Sequence, residues 1–339
     1  MAKNGKTSLK DVATAVGVSP ALVSMVLNGK ARQYRIGKEV AKKVQAVAAQ
    51  MNYAPNVTAQ ILRSGKSQLI GLIVTDVANP FYANIARIIE DRAKRENYTV
   101  LISSSDEDPD NTSRLIDVMK NKGVEGLIVV PCDGIRDTME TLARESFPVV
   151  LLDRYFPDID ISSSCLDNVR ATMLATQHLI AQGYRKIALI AYDTQMFHII
   201  DRISGYQAAM RQAGYEVYED VRKVDIKNPE PDMRHILDEM TGAQHTEAVI
   251  FLTNMLTIHG LSYLSTKNVS IPHDLAVVGF NRNVVFDLYH PQITFIKQPL
   301  QKIAEGAFST LMNHINNEPA VKKGFFEPDL IIRESSLKT

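Results

Sequence analysis

From Gln68 onward the sequence alternates short apolar runs with amphipathic stretches, and this alternation narrows the possible folds more than any other feature. The runs begin near Leu69 (Leu-Ile-Gly-Leu-Ile-Val), Thr99, Glu125 (Glu-Gly-Leu-Ile-Val-Val) and Val149. The series resumes near Lys186 (Lys-Ile-Ala-Leu-Ile-Ala), Val221, Glu247 (Glu-Ala-Val-Ile-Phe-Leu) and Leu275. Runs that are apolar throughout, rather than at every second residue, belong to parallel strands covered on both faces. Gly71-Leu-Ile-Val-Thr-Asp76 and Ala188-Leu-Ile-Ala-Tyr-Asp193 read as corresponding first strands of two similar halves. The expectation is an α/β body of two doubly wound parallel-sheet subdomains, with a cleft between the carboxyl ends of their strands.

The residues before this body are of another kind. The whole chain of 339 residues has a formal net charge of zero, yet residues 1–66 carry eleven Lys and Arg against Asp11 and Glu39 alone. The head is therefore +9 and the remainder −9. A split this complete fits a head that meets a polyanion and a body that does not. No apolar run approaches the ~18 residues a membrane-spanning helix needs, and no hydrophobic leader follows the basic Met1–Lys6. Cys132 and Cys165 lack metal-ligand spacing and read as buried thiols of a cytoplasmic protein that carries no metal.

Within the head, Leu9, Val12, Ala13 and Val16 recur at helical spacing, with Ser8 and Asp11 placed as a capping box. Gly17 ends that helix. Ser19 can cap the next, and Pro20 stands at its first position, where a missing N–H costs nothing. Val23, Val26 and Leu27 give the second helix its buried stripe. A third runs from about Lys38 to Met51, with Val40, Val44, Val47, Ala48 and Met51 on one face. Three short helices around one small core, the first two joined by a tight turn, make an all-α helix-turn-helix head.

The ordered stretch Leu9-Lys-Asp-Val-Ala-Thr-Ala-Val-Gly-Val-Ser-Pro-Ala-Leu-Val-Ser-Met-Val-Leu-Asn28, followed by Tyr53-Ala-Pro-Asn56, closely resembles the lactose-repressor (LacI/GalR) family. The resemblance implies that the second helix lies in the major groove of DNA, with Pro20, Ala21 and Met25 facing base edges. Ser19, Ser24 and Asn28 then lie nearer the phosphates, and Lys30 and Arg32 in the following loop are phosphate contacts or plain solvated charges. Met25 stands where an Arg commonly reads guanine, which removes the bidentate guanine contact. Readout is therefore expected to lean on thymine methyls and groove shape. Met25→Arg should introduce a guanine preference at one position of each half-site, worth about 1–3 kcal/mol. A binding-site selection that returns the same sequences for both proteins would remove Met25 from the base-reading set.

Asn56 to Arg63 is helix-compatible but eight residues long, shorter than the ~12–15 an isolated helix needs in water. The resemblance implies a hinge helix over residues 56–66 that pairs with its copy in the minor groove. Asn56 lies at its start, Ala59 permits close helix approach, and Leu62 is the wedge between base steps.

In the body the resemblance rests on Asn79-Pro80-Phe81, Asp153-Arg154, Asp167-Asn168, His178-Leu179-Ile180, Arg202 with Gly205, Gly279-Phe280 and Leu330-Ile-Ile-Arg-Glu334. It implies a sensor like the periplasmic sugar-binding proteins, its chain crossing between subdomains near Cys165, Ile293 and Phe325. The expected domains are 1–55 for the head, 67–165 with 294–324 for one subdomain, and 166–293 with 325–339 for the other. By position the ligand-facing residues are Phe81, Tyr82, Asp153, Arg202, Asn254, Asn281 and Arg282. An aromatic face with amides, a carboxylate and a guanidinium suits a polyhydroxylated ring; the alternative is that Asp153 or Arg202 pairs with a neighbour and holds the cleft shut. Asn254-Met255 and Asn281-Arg282 stand where the family has carboxylates, so an acidic or phosphorylated sugar is expected.

No phosphate-binding Gly-rich loop, His-x-x-x-His pair or Gly-x-Ser-x-Gly elbow occurs, so neither catalysis nor a cofactor is expected. A transport-type sugar-binding protein would lack the basic head. The function expected is a ligand-responsive, sequence-specific regulator, a repressor of carbohydrate-utilisation genes. It acts as a homodimer on a near-palindromic double-stranded DNA operator, with no membrane partner. The sensor's partner is a small molecule or, alternatively, a protein. The segment from Ile85 to Glu96, apolar at Ile85, Ile88, Ile89 and Ala93, is either a dimer surface or a helix packed on its own sheet.

Overall fold

Ser8 opens the first helix in the way its spacing from Asp11 demands. Its hydroxyl accepts from the Asp11 N–H, and the Asp11 carboxylate accepts from the Ser8 backbone N–H. The computed structural model describes residues 7–53, 65–242 and 245–338. It divides into a head up to Ser67 and a body from Gln68. Asn56, Ala59 and Leu62 of the expected hinge lie outside the described residues.

The head has three helices: α1 (Leu9–Val16), α2 (Pro20–Leu27) and α3 (Lys38–Gln50). Gly17 closes α1 at φ 82°, a left-handed conformation that glycine adopts without steric cost, and its N–H bonds the Ala13 carbonyl. The Ser19 hydroxyl caps α2 by accepting from the Leu22 N–H. α3 starts at Gly37 with no side-chain cap, as a residue without a side chain must. Val12, Ala13, Val16, Val23, Val26, Val44 and Ala48 form the core. Leu27, Val47 and Met51 only border it and Val40 is exposed. Helices this short enclose one layer, so the ends of each apolar stripe reach solvent.

The body holds two six-stranded sheets. The first has the order β11-β5-β4-β3-β1-β2, built from β1 (Leu69–Val74), β2 (Thr99–Ser104), β3 (Leu127–Val129), β4 (Val149–Leu152), β5 (Ser162–Leu166) and β11 (Lys323–Phe326). The second has the order β12-β10-β9-β8-β6-β7, from β6 (Ile187–Tyr192), β7 (Asp220–Val224), β8 (Ala248–Phe251), β9 (Ala276–Phe280), β10 (Thr294–Lys297) and β12 (Asp329–Ile331). Every pairing is parallel except β10 with β12. Central strands buried over all (β8) or all but one (β1, β6) of their residues explain the unbroken apolar runs.

Two crossings fall later than the sequence suggests. Thr294–Lys297 pairs with β9, so the chain leaves the second sheet at Gln298 and not at Ile293. Lys323–Phe326 pairs with β5, which keeps Phe325 in the first sheet. The remaining crossing lies at Asp167, between β5 and the helix Asn168–Ala181, close to the expected Cys165. A strand's partner, not its own composition, decides which sheet it joins. α4 (Pro80–Arg95) packs Ile85, Ile89 and Ala93 into its own subdomain, with Ile88 at the margin, so its apolar face is not free for a second chain. Among the described residues no single helix is long and apolar enough to cross a membrane, and no cluster of His, Cys, Asp or Glu is placed to hold a metal ion.

Candidate functional site

Because the strands of each sheet, the edge strand β12 excepted, run parallel, their carboxyl ends gather at one edge, and the two edges face each other across a cavity of about 430 Å³. Asn79 caps α4 by accepting from the Phe81 N–H, with Pro80 at the first helical position. That cap turns Phe81 and Tyr82 into the cavity, where their rings meet edge to face at 4.9 Å between centroids. Asp153 follows β4 and Asn281 follows β9, and both are non-glycine residues in the left-handed region, at φ 64° and 61°. Such a conformation is uncommon and is found where the surroundings hold a side chain in a required direction. Asn254 begins α10 (Asn254–Leu264), behind the Thr253 cap. Arg202 comes from α8 (Phe197–Gln212).

Of the seven expected ligand residues, the structure thus brings Phe81, Tyr82, Asp153, Arg202, Asn254 and Asn281 together. Arg282 is the exception. Its side chain is 71% exposed and pairs with Asp287 at 3.1 Å, outside the cavity. The turn at Asn281 sends successive side chains in different directions. The expectation of an acidic or phosphorylated ligand leaned on Arg282 and loses that support.

The cavity is polar and incompletely satisfied. Among the described residues, seven buried side-chain N or O atoms lack a hydrogen-bond partner, and five of them belong to cavity residues. They are Asp153 Oδ1, Asn281 Oδ1, Gln298 Oε1, Arg154 Nε and His198 Nδ1. Buried polar atoms without partners each cost about 1–3 kcal/mol, so their clustering sets this cavity apart from the rest of the interior. Tyr82 donates its hydroxyl to Asp153 Oδ2 at 3.1 Å. Burial raises the Asp153 carboxyl above its usual range, against the pull of Arg202 and Arg154. Burial brings the Arg202 guanidinium down to about 10, against the pull of Asp153, so it stays charged at neutral pH. Burial, with Arg154 and Arg202 alongside, holds His198 well below the usual imidazole range and hence neutral.

Three polar contacts bridge the subdomains around this cavity. Asn254 Nδ2 donates to Asn79 Oδ1 at 3.1 Å, Tyr155 donates its hydroxyl to Asp201 at 2.7 Å, and Thr194 bonds Asp133. Arg154, Glu107, His198 and Gln298 are cavity residues that the sequence reading does not assign. The signal for three of them is positional. Glu107, Arg154 and Gln298 each lie within three residues of a strand's carboxyl end, where doubly wound sheets bind ligands.

In the head, Pro20 and Ala21 are exposed at the start of α2, while Ser24 and Met25 are half-buried. The Ser19 hydroxyl is engaged in the helix cap. The Asn28 amide donates to the Ser24 carbonyl at 2.7 Å and to its hydroxyl at 3.2 Å, which closes the other end of α2. Both residues therefore shape the helix independently of DNA. Lys30 and Arg32 are exposed in the loop that follows. Leu22 leans on the head's core.

Residues 8–56 match the family model described as bacterial regulatory proteins, lacI family, and residues 67–325 match periplasmic binding proteins and sugar binding domain of LacI family. The chain is similar to the HTH-type transcriptional regulator DegA of Bacillus subtilis (strain 168), 28% identical over 338 residues that span 98% of each protein. Its fold is similar to the lac repressor dimer bound to operator and the anti-inducer ONPF, with a TM-score of 0.86 at 22% identity over 98% of this chain and 100% of that one. It is also similar to the transcriptional regulator CelR–cellobiose complex, with a TM-score of 0.69 at 23% identity over 97% and 99% of the two chains.

Proposed function

The chain belongs to the LacI family of bacterial regulatory proteins, and from that premise we propose that it is a homodimeric repressor of carbohydrate genes whose effector is a neutral, hydroxyl-rich sugar. DNA-binding transcriptional regulation is the family's function. The choice of effector class rests on the unsatisfied acceptors. Asp153 Oδ1, Asn281 Oδ1 and Gln298 Oε1 belong to residues that line one cavity and all require donors, which sugar hydroxyls provide. Phe81 and Tyr82 supply the apolar wall for a ring face. That the CelR relative is in complex with cellobiose supports the same class.

Each head reads one half of a near-palindromic operator, with Pro20, Ala21 and Met25 toward the bases and Lys30 and Arg32 toward the phosphates. Sugar bound between the subdomains adds bonds to both and so favours one arrangement of them. Coupling of a few kcal/mol to hinge formation on DNA is enough for a switch. The test uses a neutral sugar found to raise the melting temperature. Its addition must change operator affinity, read by fluorescence anisotropy. Binding with unchanged operator affinity would overturn the regulatory role of the cleft.

The second chain of the dimer is assigned here to α11 (Val284–Leu288). Val284 is 67% and Leu288 72% exposed, with Val285 beside them. A charge there should break the contact. Leu288→Asp is expected to shift sedimentation from dimer to monomer at micromolar protein. Operator affinity should fall about 100-fold as the second half-site contact is lost. A variant that stays dimeric would place the interface elsewhere.

A further inference from the structure

We propose that Glu107 sets the charge selectivity of the cleft: by occupying the Arg154 guanidinium, it makes the site favour neutral sugars over their uronates and phosphates. This rests on the reading of the cleft as a sugar site. A guanidinium buried in a cavity is a ready receptor for carboxylate or phosphate, because its fork of N–H donors matches two oxygens at once. Arg154, 8% exposed, lines the cavity with its end-on fork already occupied. Its Nη2 donates to Glu107 Oε1 at 2.6 Å, and its Nη1 to Glu107 Oε2 at 2.8 Å and to the Pro131 carbonyl at 3.1 Å. Of its five N–H groups the Nε–H, buried and without a partner, and the second Nη2–H are left.

The backbone is bent to achieve this pairing. Asp106 and Glu107 are successive non-glycine residues in the left-handed region, at φ 58° and 55°. The Ser105 N–H bonds the Val74 carbonyl and the Asp106 N–H the Thr75 carbonyl, both at 2.8 Å, and Asp108 closes the turn onto Ser105. An uncommon conformation maintained at the residue that meets the guanidinium points to a role for that meeting. The other buried cation, Arg202, is engaged by Asn168 and the Leu252 carbonyl and has Asp153 as its nearby counter-charge. Asp153 acts on both buried guanidiniums, and Glu107 is the carboxylate hydrogen-bonded to Arg154. Without the charge of Glu107 the Arg154 cation loses that partner, and its field in a partly desolvated cleft reaches a ligand strongly.

The experiment is isothermal titration of the full-length protein with D-glucose against D-glucuronate, D-galactose against D-galacturonate, and D-ribose against ribose 5-phosphate. Wild type should prefer the neutral member of any pair it binds by about tenfold or more, and Glu107→Gln should shrink that ratio about tenfold, chiefly by tightening the anion. A merely structural role for Glu107 would weaken both members alike and leave the ratio unchanged, which overturns the proposal. Glu107→Asp, which retains the charge, should retain the preference. Should Glu107→Gln fail to fold, Glu107→Ala is read in the same way. A wild-type preference for the anion overturns the proposal without any variant. Binding of no neutral sugar by wild type overturns the underlying sugar reading as well, an outcome distinct from an unchanged ratio.

Discussion

Arg202→Met is expected to lower effector affinity at least 100-fold, so that operator binding no longer responds to the sugar. Arg202 is 3% exposed and serves several partners at once. Its Nε donates to Asn168 Oδ1 at 2.8 Å and its Nη1 to the Leu252 carbonyl at 2.7 Å, and the guanidinium lies 3.9 Å from the centre of the Phe280 ring. Its charge opposes Asp153 across the subdomains. Methionine fills a similar volume but leaves the Asp153 carboxylate without its first counter-charge, and the Asn168 and Leu252 oxygens without their donor. Removing one member of a buried charge pair costs about 3–5 kcal/mol. A hundredfold in affinity corresponds to about 2.7 kcal/mol, just below the lower end of that range. Titration calorimetry with a sugar bound by wild type measures it directly, and an affinity within about threefold of wild type would show that Arg202 only supports the fold. Arg202→Lys should fail nearly as badly, because an ammonium cannot hold Asn168, Leu252 and the Phe280 face together. The substitution lies in the body, so nonspecific DNA binding by the head should persist.

The sequence makes much of this legible because local chemistry dictates it. Ser8 with Asp11 and Ser19 with Pro20 are helix starts that can be read from residue type and spacing alone, and both form as read. Continuous apolar runs identify buried parallel strands for the same reason. The errors arise where a distant partner decides. Thr294–Lys297 is as apolar as a strand of either sheet, and only its pairing with β9 assigns it. Arg282 adjoins Asn281 in sequence, but the left-handed turn at Asn281 and the carboxylate of Asp287 take it out of the cavity. Glu107 enters the cavity's chemistry through Arg154, 47 residues away, and no local pattern announces that bond. The proposal of a neutral rather than an anionic sugar rests on two charges, Arg282 outside the cavity and Arg154 paired with Glu107 within it.

Gly205→Ala tests the close packing of the helix pair that carries Arg202. On helix propensity alone the change should stabilise an interior position by about 1 kcal/mol. Packing predicts the opposite sign. A Cβ at residue 205 would stand 2.1 Å from the Val169 carbonyl oxygen, 2.9 Å from its carbon and 2.5 Å from Thr172 Oγ1. The first two are backbone atoms of the helix Asn168–Ala181 and cannot rotate away. The Thr172 hydroxyl is itself fixed, since it donates to the Arg202 carbonyl at 2.5 Å. The helices must therefore separate, opening a gap along Ala171, Ala175 and Tyr206, all buried in the same core. Overpacking of this kind costs about 1–3 kcal/mol and more where backbone is the obstacle. At about 2–4 °C per kcal/mol for a domain of this size, the melting temperature should fall by roughly 5–10 °C. The same movement separates Arg202 on one helix from Asn168 on the other, so effector affinity should fall together with stability. A variant with unchanged or higher melting temperature would mean that the helices cross less tightly at Gly205, and the anchoring of Arg202 by Asn168 would then need another explanation.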